Sequence, residues 1–336
     1  MTDNPHTRVF SGDIGGTKIR LGLWEVGGGS LDLVQDWTVA SSGFSSPVEA
    51  VRSACREVDL RGLTACFGVA GPVHHGRSGL TNLPWVVDGE NLERDLGFDR
   101  VLVINDLEAT AWAVGSLQAS SLCQIKAGKV DPDGAVAVIA AGTGLGQAGL
   151  IRRGEQSVVC SGEGGHADFA PQGKLEVDLL TFLAEKYGHV SWERVVSGPG
   201  LVGLAGFFFA RSGESFEKWI DTLGVVDDRA VEVASAALSG APEACVAALD
   251  LFVTLLGAQA GNLALTFGAT GGVYLAGGMP PKILPAILGG GFIERFLDKG
   301  RMRGFLEGIP VNVILDVDAP LKGAALRVAA RTGSHQ

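Results

Sequence analysis

The chain has 336 residues, of which 46% are hydrophobic and 19% charged, a composition that fits one large or two ordinary globular domains and excludes a disordered chain. Its formal charge of −10 and the lack of a basic stripe argue against nucleic acid as a partner, because phosphate-backbone binding requires clustered Lys and Arg. The cysteines lack CxxC spacing, which favours reduced thiols and a cytoplasmic protein. They are Cys55, Cys66, Cys123, Cys160 and Cys245.

Neither the N-terminus nor the longest apolar stretch indicates a membrane protein. Residues 1–8 (MTDNPHTR) are polar and lack the apolar segment of a signal peptide. The stretch from Ala244 to Phe267 is interrupted by Asp250, Gln259 and Asn262. We therefore expect a buried helix there and no membrane partner.

The first part of the chain predicts a hairpin followed by mixed strands and helices. In RVFSGDIGGTKIRLGLWEV, β-forming residues flank a Gly-Gly turn, which is typical of a hairpin and not of a strand leading into a helix. The spacing of Val48, Val51, Cys55 and Val58 predicts a helix. Strands ending in FGVAGPV and VLVIND follow, and then a helix from about Leu107 to Leu117.

The opening pattern returns in AVAVIAAGTGLGQAGLI, which predicts a strand, a glycine turn and a second strand. Two such hairpins, each followed by alternating strand and helix signals, suggest two related α/β halves. Beyond Lys174 the sequence is mainly helical; it returns to strands at GGVYLAGG and VNVILD and ends in a helix from about Ala319. The intervening helices are predicted over Leu175 to Tyr187, Gly200 to Phe209, Asp228 to Leu238 and Ala244 to Phe267.

The glycine spacing of a dinucleotide-binding motif is present, but the helix that should follow it is not predicted. Gly144, Gly146 and Gly149 fit GxGxxG, but that motif needs a helix directly after the glycines. Residues 148–151 (AGLI) predict a strand instead, so we reject this interpretation. The sequence also contains no GxxxxGK[ST] phosphate-binding loop.

Residues 161–171, SGEGGHADFAP, bring Glu163, His166 and Asp168 within six positions. A metal site, an acid–base pair and a hydrogen-bonding surface are all open interpretations, as is an ordinary solvated loop. The glycines between Glu163 and His166 disfavour the helix that would place both side chains on one face. No HExxH or Cys/His cluster adds further ligands, which weakens the metal interpretation.

The glycine turns carry donors suited to phosphate. Gly12–Thr17 offers backbone amides and a hydroxyl, and Asp13 ends an apolar strand where it could orient Mg²⁺, through water. Residues 141–146 (AGTGLG) offer the same donors again, and two such turns facing each other would clamp a polyphosphate. Gly277 and Gly278 close a third strand and allow close approach of a flat nucleoside. Taken alone, the first turn is equally consistent with a hairpin and a solvated Asp13.

Between these turns, the strand VLVIND ends in Asn105 and Asp106, directly before a predicted helix. One interpretation is helix capping, since Asn and Asp are favoured caps. The other is a carboxylate at the C-terminal end of a strand, where ligand sites of α/β proteins concentrate. Such a carboxylate can accept the proton of a hydroxyl that attacks a phosphoryl group. Both roles are compatible with one residue.

Seven motifs together resemble one family. GDIGGTKIRLGL, LTNLPW, LVINDLEA, AAGTGLG, SGEGGHADFAP, ERVVSGPGL and LAGGMPP occur in the order of the bacterial hexokinase-type glucokinases, from about Val9 to Arg327. The resemblance implies the two-domain actin-like ATPase (ribonuclease H-like) α/β fold with an interdomain cleft. It implies a small domain of residues 1–112 plus about 318–336 and a large domain of 113–317. It also implies ATP-dependent phosphorylation of the glucose 6-hydroxyl with Mg²⁺. Family members are often homodimers, so a homodimer is one assembly to test.

The resemblance assigns roles residue by residue. Asp106 matches the catalytic base, and Asp168 matches no functional position. The sugar-contacting positions match Asn82, Asn105, Asp106, Glu163, His166 and Glu193. The phosphate-binding turns match Asp13, Gly15, Gly16, Thr17, Gly142, Thr143 and Gly144, and the adenosine region matches Gly277 and Gly278. Side chains of Asn, Glu and His suit a pyranose because each sugar hydroxyl both donates and accepts hydrogen bonds.

Lys18 departs from the family pattern. Many of these glucokinases carry Asn at this position, whereas Gly-Gly-Thr-Lys is common in the related repressor/ORF/kinase (ROK) family, whose Cys-rich zinc motif is absent here. A kinase for another hexose or an amino sugar therefore stays open, as does a donor such as polyphosphate or ADP. A non-catalytic sugar sensor or repressor is a further alternative. The sequence has no N-terminal helix-turn-helix, and its Asp13 and Asp106 favour an enzyme.

Overall fold

The computed structural model describes residues 7–28, 30–80, 83–154 and 156–332, so Asn82 lies outside the described residues. The chain divides into two compact units, one of Met1–Gln118 with Asp316–Gln336 and the other of Ala119–Leu315. The N-terminal unit is called unit 1 and the other unit 2. The chain therefore leaves unit 1 once and returns to it near its C-terminus.

The described residues form the following elements. The strands are β1 (Thr7–Ile14), β2 (Lys18–Gly27), β3 (Ser30–Ala40), β4 (Thr64–Val69), β5 (Arg77–Gly79), β6 (Val86–Asp88), β7 (Arg100–Asn105), β8 (Leu122–Lys126), β9 (Val136–Ala141), β10 (Leu145–Arg153), β11 (Gln156–Gly162), β12 (Gly272–Ala276) and β13 (Val311–Ile314). The helices are α1 (Pro47–Ala54), α2 (Gly89–Leu96), α3 (Asp106–Ala113), α4 (Gly173–Tyr187), α5 (Gly198–Arg211), α6 (Phe216–Thr222), α7 (Arg229–Leu238), α8 (Glu243–Phe267), α9 (Met279–Lys282), α10 (Leu284–Leu288), α11 (Gly291–Leu297), α12 (Arg303–Glu307) and α13 (Ala319–Thr332).

Unit 1 is built on a five-stranded sheet in the order β3-β2-β1-β4-β7. β1, β2 and β3 pair antiparallel, whereas β1, β4 and β7 are parallel. In this register Ile14 pairs with Val69, and Val69 pairs with Asn105. The carboxyl ends of the three parallel strands therefore meet at one edge of the sheet, which is where the fold places Asp13 and Asp106.

Helices cover both faces of this sheet. Because side chains alternate along a strand, Val9 and Phe10 of β1 point to opposite faces. Val9 packs in a core with residues of α3 and α13, while Phe10 packs in a second core with residues of α1 and α2. Asp13 follows the period of Val9, so it lies on the face that α3 and α13 cover.

Unit 2 repeats the plan of unit 1. Its sheet has the order β11-β10-β9-β12-β13-β8, in which β9, β10 and β11 pair antiparallel while β9, β12 and β13 are parallel. An antiparallel trio joined to two parallel strands is the same arrangement as in unit 1. The suggestion of two related α/β halves is thus supported by the topology, with β8 as an addition on β13.

The apolar helix α8 forms the core of unit 2. It is long and apolar enough to cross a membrane by length and composition, yet 72% of its most apolar window is buried inside the protein. It packs against α5, α7 and α11. These are the contacts of a core helix, as the polar residues within the sequence stretch indicate.

Several elements differ from the sequence prediction in their bounds. The helix expected to reach Leu117 ends at Ala113 and continues only as a 3₁₀ turn over Val114–Ser116. Residues 148–151 lie in β10, so the rejection of a dinucleotide-binding helix is confirmed. β3 was not predicted from the sequence.

Candidate active site

Two carboxylates lie at the carboxyl-end edge of the unit 1 sheet, one of them at the start of α3. Asn105 is the N-cap of this helix: its side-chain oxygen accepts from the Leu107 N–H (2.9 Å), and its amide donates to the Gly71 carbonyl (3.0 Å). Asp106 follows as the first helical residue, and its Oδ1 accepts from the same N–H (2.9 Å). Asn105 thus takes the N-cap position, and both side chains accept from the Leu107 N–H.

Asp13 is the second carboxylate of this edge, and its environment is electrostatically strained. Burial, and next the charge of Asp106, raise the pKa of Asp13 to about 6, while the Arg20 guanidinium opposes this rise. Burial also raises the pKa of Asp106, an effect that the Leu107 N–H partly offsets. The two carboxylates are therefore close enough to repel each other, and a cation at this edge would stabilise both in their charged forms.

Arg20 is a partner of Asp13 that the sequence analysis did not identify. The two residues face each other across the β1–β2 pair, and Arg20 Nη1 lies 3.5 Å from Asp13 Oδ2. The same guanidinium donates to the Val317 carbonyl (2.5 Å), and its Nε lies 3.5 Å from Asp318 Oδ1. Arg20 follows Asp13 by seven residues, across a tight turn. This spacing is a sequence signal that could have indicated the pairing.

This edge fits Mg²⁺ by the chemistry of its donors. Mg²⁺ prefers oxygen ligands, keeps several waters and is commonly held by one or two carboxylates together with substrate phosphates. The described part of the chain contains no group of three or more His, Cys, Asp or Glu residues that could hold a metal. A pair such as Asp13 and Asp106 therefore matches a cation shared with a substrate better than a cage formed by the protein alone.

The first glycine turn is anchored from its buried side. The Gly15 N–H donates to the Lys18 carbonyl (3.0 Å) and closes the turn. Ser41, which is fully buried, donates from its hydroxyl to the Gly15 carbonyl (2.9 Å) and from its N–H to the Thr17 carbonyl (2.9 Å). Ser41 thus fixes two carbonyls of the turn from its buried side. Gly16 is half-buried, and the Thr17 side chain is exposed.

The second glycine turn lies beside the end of β12. Gly142 donates to the Gly144 carbonyl (2.9 Å), and its own carbonyl accepts from the Gly198 N–H (2.7 Å) at the start of α5. Gly277 has φ +86° and approaches Ala141 so closely that a Cβ would overlap the Ala141 carbonyl. Only glycine fits here, because both the backbone angle and the contact exclude a side chain.

A cavity of about 910 Å³ in unit 2 joins these two features. Its lining includes Gly142 and Thr143 from the second turn and Gly278 from the end of β12. The structure therefore brings together the predicted phosphate turn and the predicted adenosine region. The volume falls within the range of small-molecule sites. At its rim, Arg229 makes two hydrogen bonds to Glu217 (2.9 and 3.0 Å).

A cluster of Glu163, His166 and Glu193, here called the Glu–His–Glu cluster, assembles in unit 2. His166 Nε2 lies 3.9 Å from Glu163 Oε2, and His166 Nδ1 lies 3.9 Å from Glu193 Oε1. Glu193 is also fixed in place, because its Oε2 accepts from the Leu145 N–H (3.0 Å). An exposed imidazole between two carboxylates offers several donors and acceptors within one small area.

Asp168 points away from this cluster despite its position in the same motif. Its Oδ1 lies 2.7 Å from His189 Nε2, and both side chains are exposed. Its backbone forms a bridge with Ser191. The third acidic or basic residue of SGEGGHADFAP thus makes a surface pair of its own, in keeping with the absence of an assigned role.

Comparisons with known proteins identify the family of the chain. The family model described as "Glucokinase" matches residues 10–331. The chain is 39% identical over 339 residues to a curated glucokinase of Nostoc sp. (strain PCC 7120), covering 96% of this chain and 99% of that protein. Among solved structures, it is similar to a glucokinase from an Antarctic psychrotroph, with a TM-score of 0.83, 34% identity and coverage of 95% and 98%.

A second solved structure extends the likeness to the sister family. It is a ROK family glucokinase from Streptomyces griseus in complex with glucose and AMPPNP, with a TM-score of 0.60, 25% identity and coverage of 95% of this chain and 98% of that one. Together with the first structure, it confirms the two-domain actin-like ATPase fold that the motifs imply.

Proposed function

Because the chain belongs to the glucokinase family, we propose that it transfers the γ-phosphoryl group of ATP to O6 of D-glucose with Asp106 as general base. Membership establishes glucose phosphorylation as the activity; the roles of the individual residues are our assignment. The observation that carries this assignment is the pair of interacting carboxylates, Asp13 and Asp106, at the carboxyl ends of β1 and β7.

Asp106 is suited to accept the O6 proton. A general base works best when its pKa is not far below the working pH, and burial raises the pKa of Asp106 from its ordinary value. The Leu107 N–H holds Oδ1, so the carboxylate has a fixed orientation at the start of α3. As O6 attacks the γ-phosphorus, its proton passes to Asp106 and the bond to the ADP leaving group breaks.

Asp13 would hold Mg²⁺ through water, with Arg20 fixing the direction of its carboxylate. Bound Mg²⁺ neutralises charge on the β- and γ-phosphate oxygens. We assign Asp13 as the anchor and Asp106 as the proton acceptor, because Asp106 is the residue that matches the catalytic base of the family.

The two glycine turns would contact the phosphates, with Gly15, Gly16 and Thr17 in the first and Gly142, Thr143 and Gly144 in the second. The cavity beside Gly278 would take the nucleoside, and Gly277 permits this close approach through its missing side chain. The Streptomyces griseus protein was solved with the ATP analogue AMPPNP, which supports ATP as the donor.

The Glu–His–Glu cluster would bind sugar hydroxyls without taking part in proton transfer. Its carboxylates accept hydrogen bonds, and its imidazole both donates and accepts. Asn82 and Asn105 complete the proposed sugar contacts. A site that reads hydroxyls in this way rejects analogues strongly, because a missing hydroxyl leaves a polar side chain without its partner.

A substrate panel tests this function. Glucose, mannose, fructose, galactose and glucosamine are assayed in parallel with ATP, ADP and polyphosphate as donors, with the Asp106→Asn variant as the blank. We expect the highest kcat/KM for glucose with ATP. A higher value for another sugar or donor would reassign the substrate, and sugar binding without turnover would favour the sensor alternative. We expect the protein in the cytoplasm, and light scattering on the purified chain tests the homodimer.

A further inference from the structure

Gln147 is a buried polar residue for which the proposed mechanism has no use. It is the third residue of β10, is only 6% exposed, and within the described ranges its Nε2 has no hydrogen-bond partner. An unpaired buried amide loses its hydration without compensation. Another buried glutamine has a hydrogen-bond partner: Gln259 is also 6% exposed, and its Oε1 accepts from Asn262 (2.9 Å).

The segment Glu163–His166 lies directly on this amide. A Cβ on Gly164 would be 2.5 Å from Gln147 Oε1, and a Cβ on Gly165 would overlap the Leu145 carbonyl. Gly165 is therefore required by close packing on the β10 backbone, and a side chain at Gly164 would displace the Gln147 amide. Glu193 is bound to the same strand through the Leu145 N–H. All members of the Glu–His–Glu cluster thus depend on the first three residues of β10 for their positions.

We propose that Gln147 is a positioning residue for sugar binding: its carboxamide supports the segment Glu163–His166 from below and donates to that segment in its sugar-bound arrangement. This inference rests on the proposed role of the cluster in holding the sugar. The Nε2 donor has no partner within the described ranges, so it is available for this hydrogen bond. Gln147 acts through Glu163 and His166, because its own Nε2 is covered.

The test compares two nearly isosteric variants, Gln147→Met and Gln259→Met. Gln147→Met should leave the Tm of the free protein unchanged or higher, because an unpaired amide is removed. It should reduce the rise in Tm that glucose causes and raise KM for glucose roughly 5- to 10-fold, as expected for one lost hydrogen bond. Its kcat and KM for ATP should stay near wild type. Gln259→Met should lower Tm and leave KM for glucose unchanged.

If Gln147 only stabilises the fold, Gln147→Met should change the Tm of the free protein and not KM for glucose. The inference is overturned if Gln147→Met lowers the Tm of the free protein while KM for glucose stays constant, or if it changes neither quantity. A wild-type protein that fails to phosphorylate glucose would instead refute the proposed function, so the two failures are distinguishable.

A double-mutant cycle tests the packing independently. Gly164→Ala alone should raise KM for glucose, because its new methyl group overlaps the Gln147 amide. In the Gln147→Ala background the methyl group meets only the remaining Cβ at 3.8 Å, which is an ordinary contact. The double variant should therefore have a KM well below the product of the two single effects. Multiplicative effects would show that the amide does not lie beneath the segment, and would overturn the inference.

Discussion

The two units share a topology but divide the chemistry. Each contains an antiparallel trio around a glycine turn, joined to two parallel strands. In unit 1 the strand that enters the turn carries Asp13, whose side chain is only 18% exposed. In unit 2 the corresponding strand ends in Ala140 and Ala141, and the acidic side chains come from elsewhere, with Glu163 73% exposed.

This difference shows what the repeat of the fold supplies and what it does not. It supplies two turns whose backbones can approach a ligand, in one case beside a cavity of about 910 Å³. It does not supply matching charges. Unit 1 keeps Asp13 and Asp106 in buried positions, where their pKa values are raised, whereas unit 2 exposes the Glu163 side chain. Reactivity and recognition should therefore respond differently to mutation.

The largest effect is expected for Asp106→Asn. Loss of the general base should lower kcat by about 10²- to 10⁴-fold, whereas the rise in Tm caused by glucose should persist because the Glu–His–Glu cluster is intact. Steady-state kinetics and thermal unfolding with and without glucose measure both quantities. Asp168→Asn, which breaks only the surface pair with His189, is the control and should keep wild-type turnover. Near wild-type kcat in the Asp106 variant would disprove the assignment of the base.

Asp13→Asn should abolish most activity and yet stabilise the protein. The folded-state pKa of about 6 exceeds the ordinary value of 3.8, so between these pH values the folded state binds more protons than the unfolded state. The stability of the wild type must then fall as pH rises through this window. Above pH 6 the charged Asp13 costs about 3 kcal/mol, which the Asn variant should recover.

Urea unfolding of Asp13→Asn and wild type at pH 4 and pH 7.5 tests this sign. The increase in the free energy of unfolding of Asp13→Asn over wild type should be nearly absent at pH 4 and complete at pH 7.5. Asp59→Asn is a suitable control, because hydrogen bonds from Arg61 lower the pKa of Asp59 to about 2 and its variant should gain no stability at pH 7.5. A destabilised Asp13 variant at pH 7.5 would contradict the electrostatic picture of unit 1.

In unit 2, His166→Ala should act mainly on binding. Loss of its proposed hydrogen bonds to sugar hydroxyls should raise KM for glucose about 10- to 100-fold, with kcat changed much less. Stability should change little, because the side chain is 61% exposed. Kinetics at saturating ATP separate the two constants. If kcat were abolished and KM kept, His166 would belong to the proton transfer and the division between the units would be wrong.

The fold was predictable where local chemistry decides it. Glycine turns between alternating apolar residues indicated both hairpins, and the strand after GxGxxG excluded a dinucleotide-binding helix. β3 escaped prediction because it is an edge strand with mostly exposed residues, such as Leu33 and Val34, and has no clear alternation between buried and exposed positions. Edge pairing of this kind depends on a neighbouring strand, which a local pattern does not contain.

The sequence named the residues of the candidate site but not the contacts between them. Asn105 and Asp106 are both competent caps, and only the structure shows that Asn105 is the N-cap while Asp106 accepts from the same Leu107 N–H. Glu193 lies far from His166 in the sequence, and no local rule pairs them. Ser41 and Gln147 had no signal at all, because their importance comes from backbone segments that fold over them.

The smallest effect concerns two ion pairs across the same strands. Arg8 and Glu25 face each other on β1 and β2 at an exposed site, with a 3.0 Å contact, and Arg20 faces Asp13 at the buried end. Exposed pairs contribute at most about 1 kcal/mol, so Arg8→Met should be nearly neutral at any pH.

Arg20→Met should instead destabilise by about 1–3 kcal/mol, because a buried carboxylate loses its cation and the Val317 carbonyl loses its donor. The part that arises from Asp13 requires that carboxylate to be charged. It should therefore be present at pH 7.5 and shrink at pH 5, below the pKa of Asp13 of about 6. Urea unfolding of both variants at the two pH values measures the difference. An equal loss at both values would assign the whole effect to Val317 and leave Asp13 without a counter-ion in unit 1.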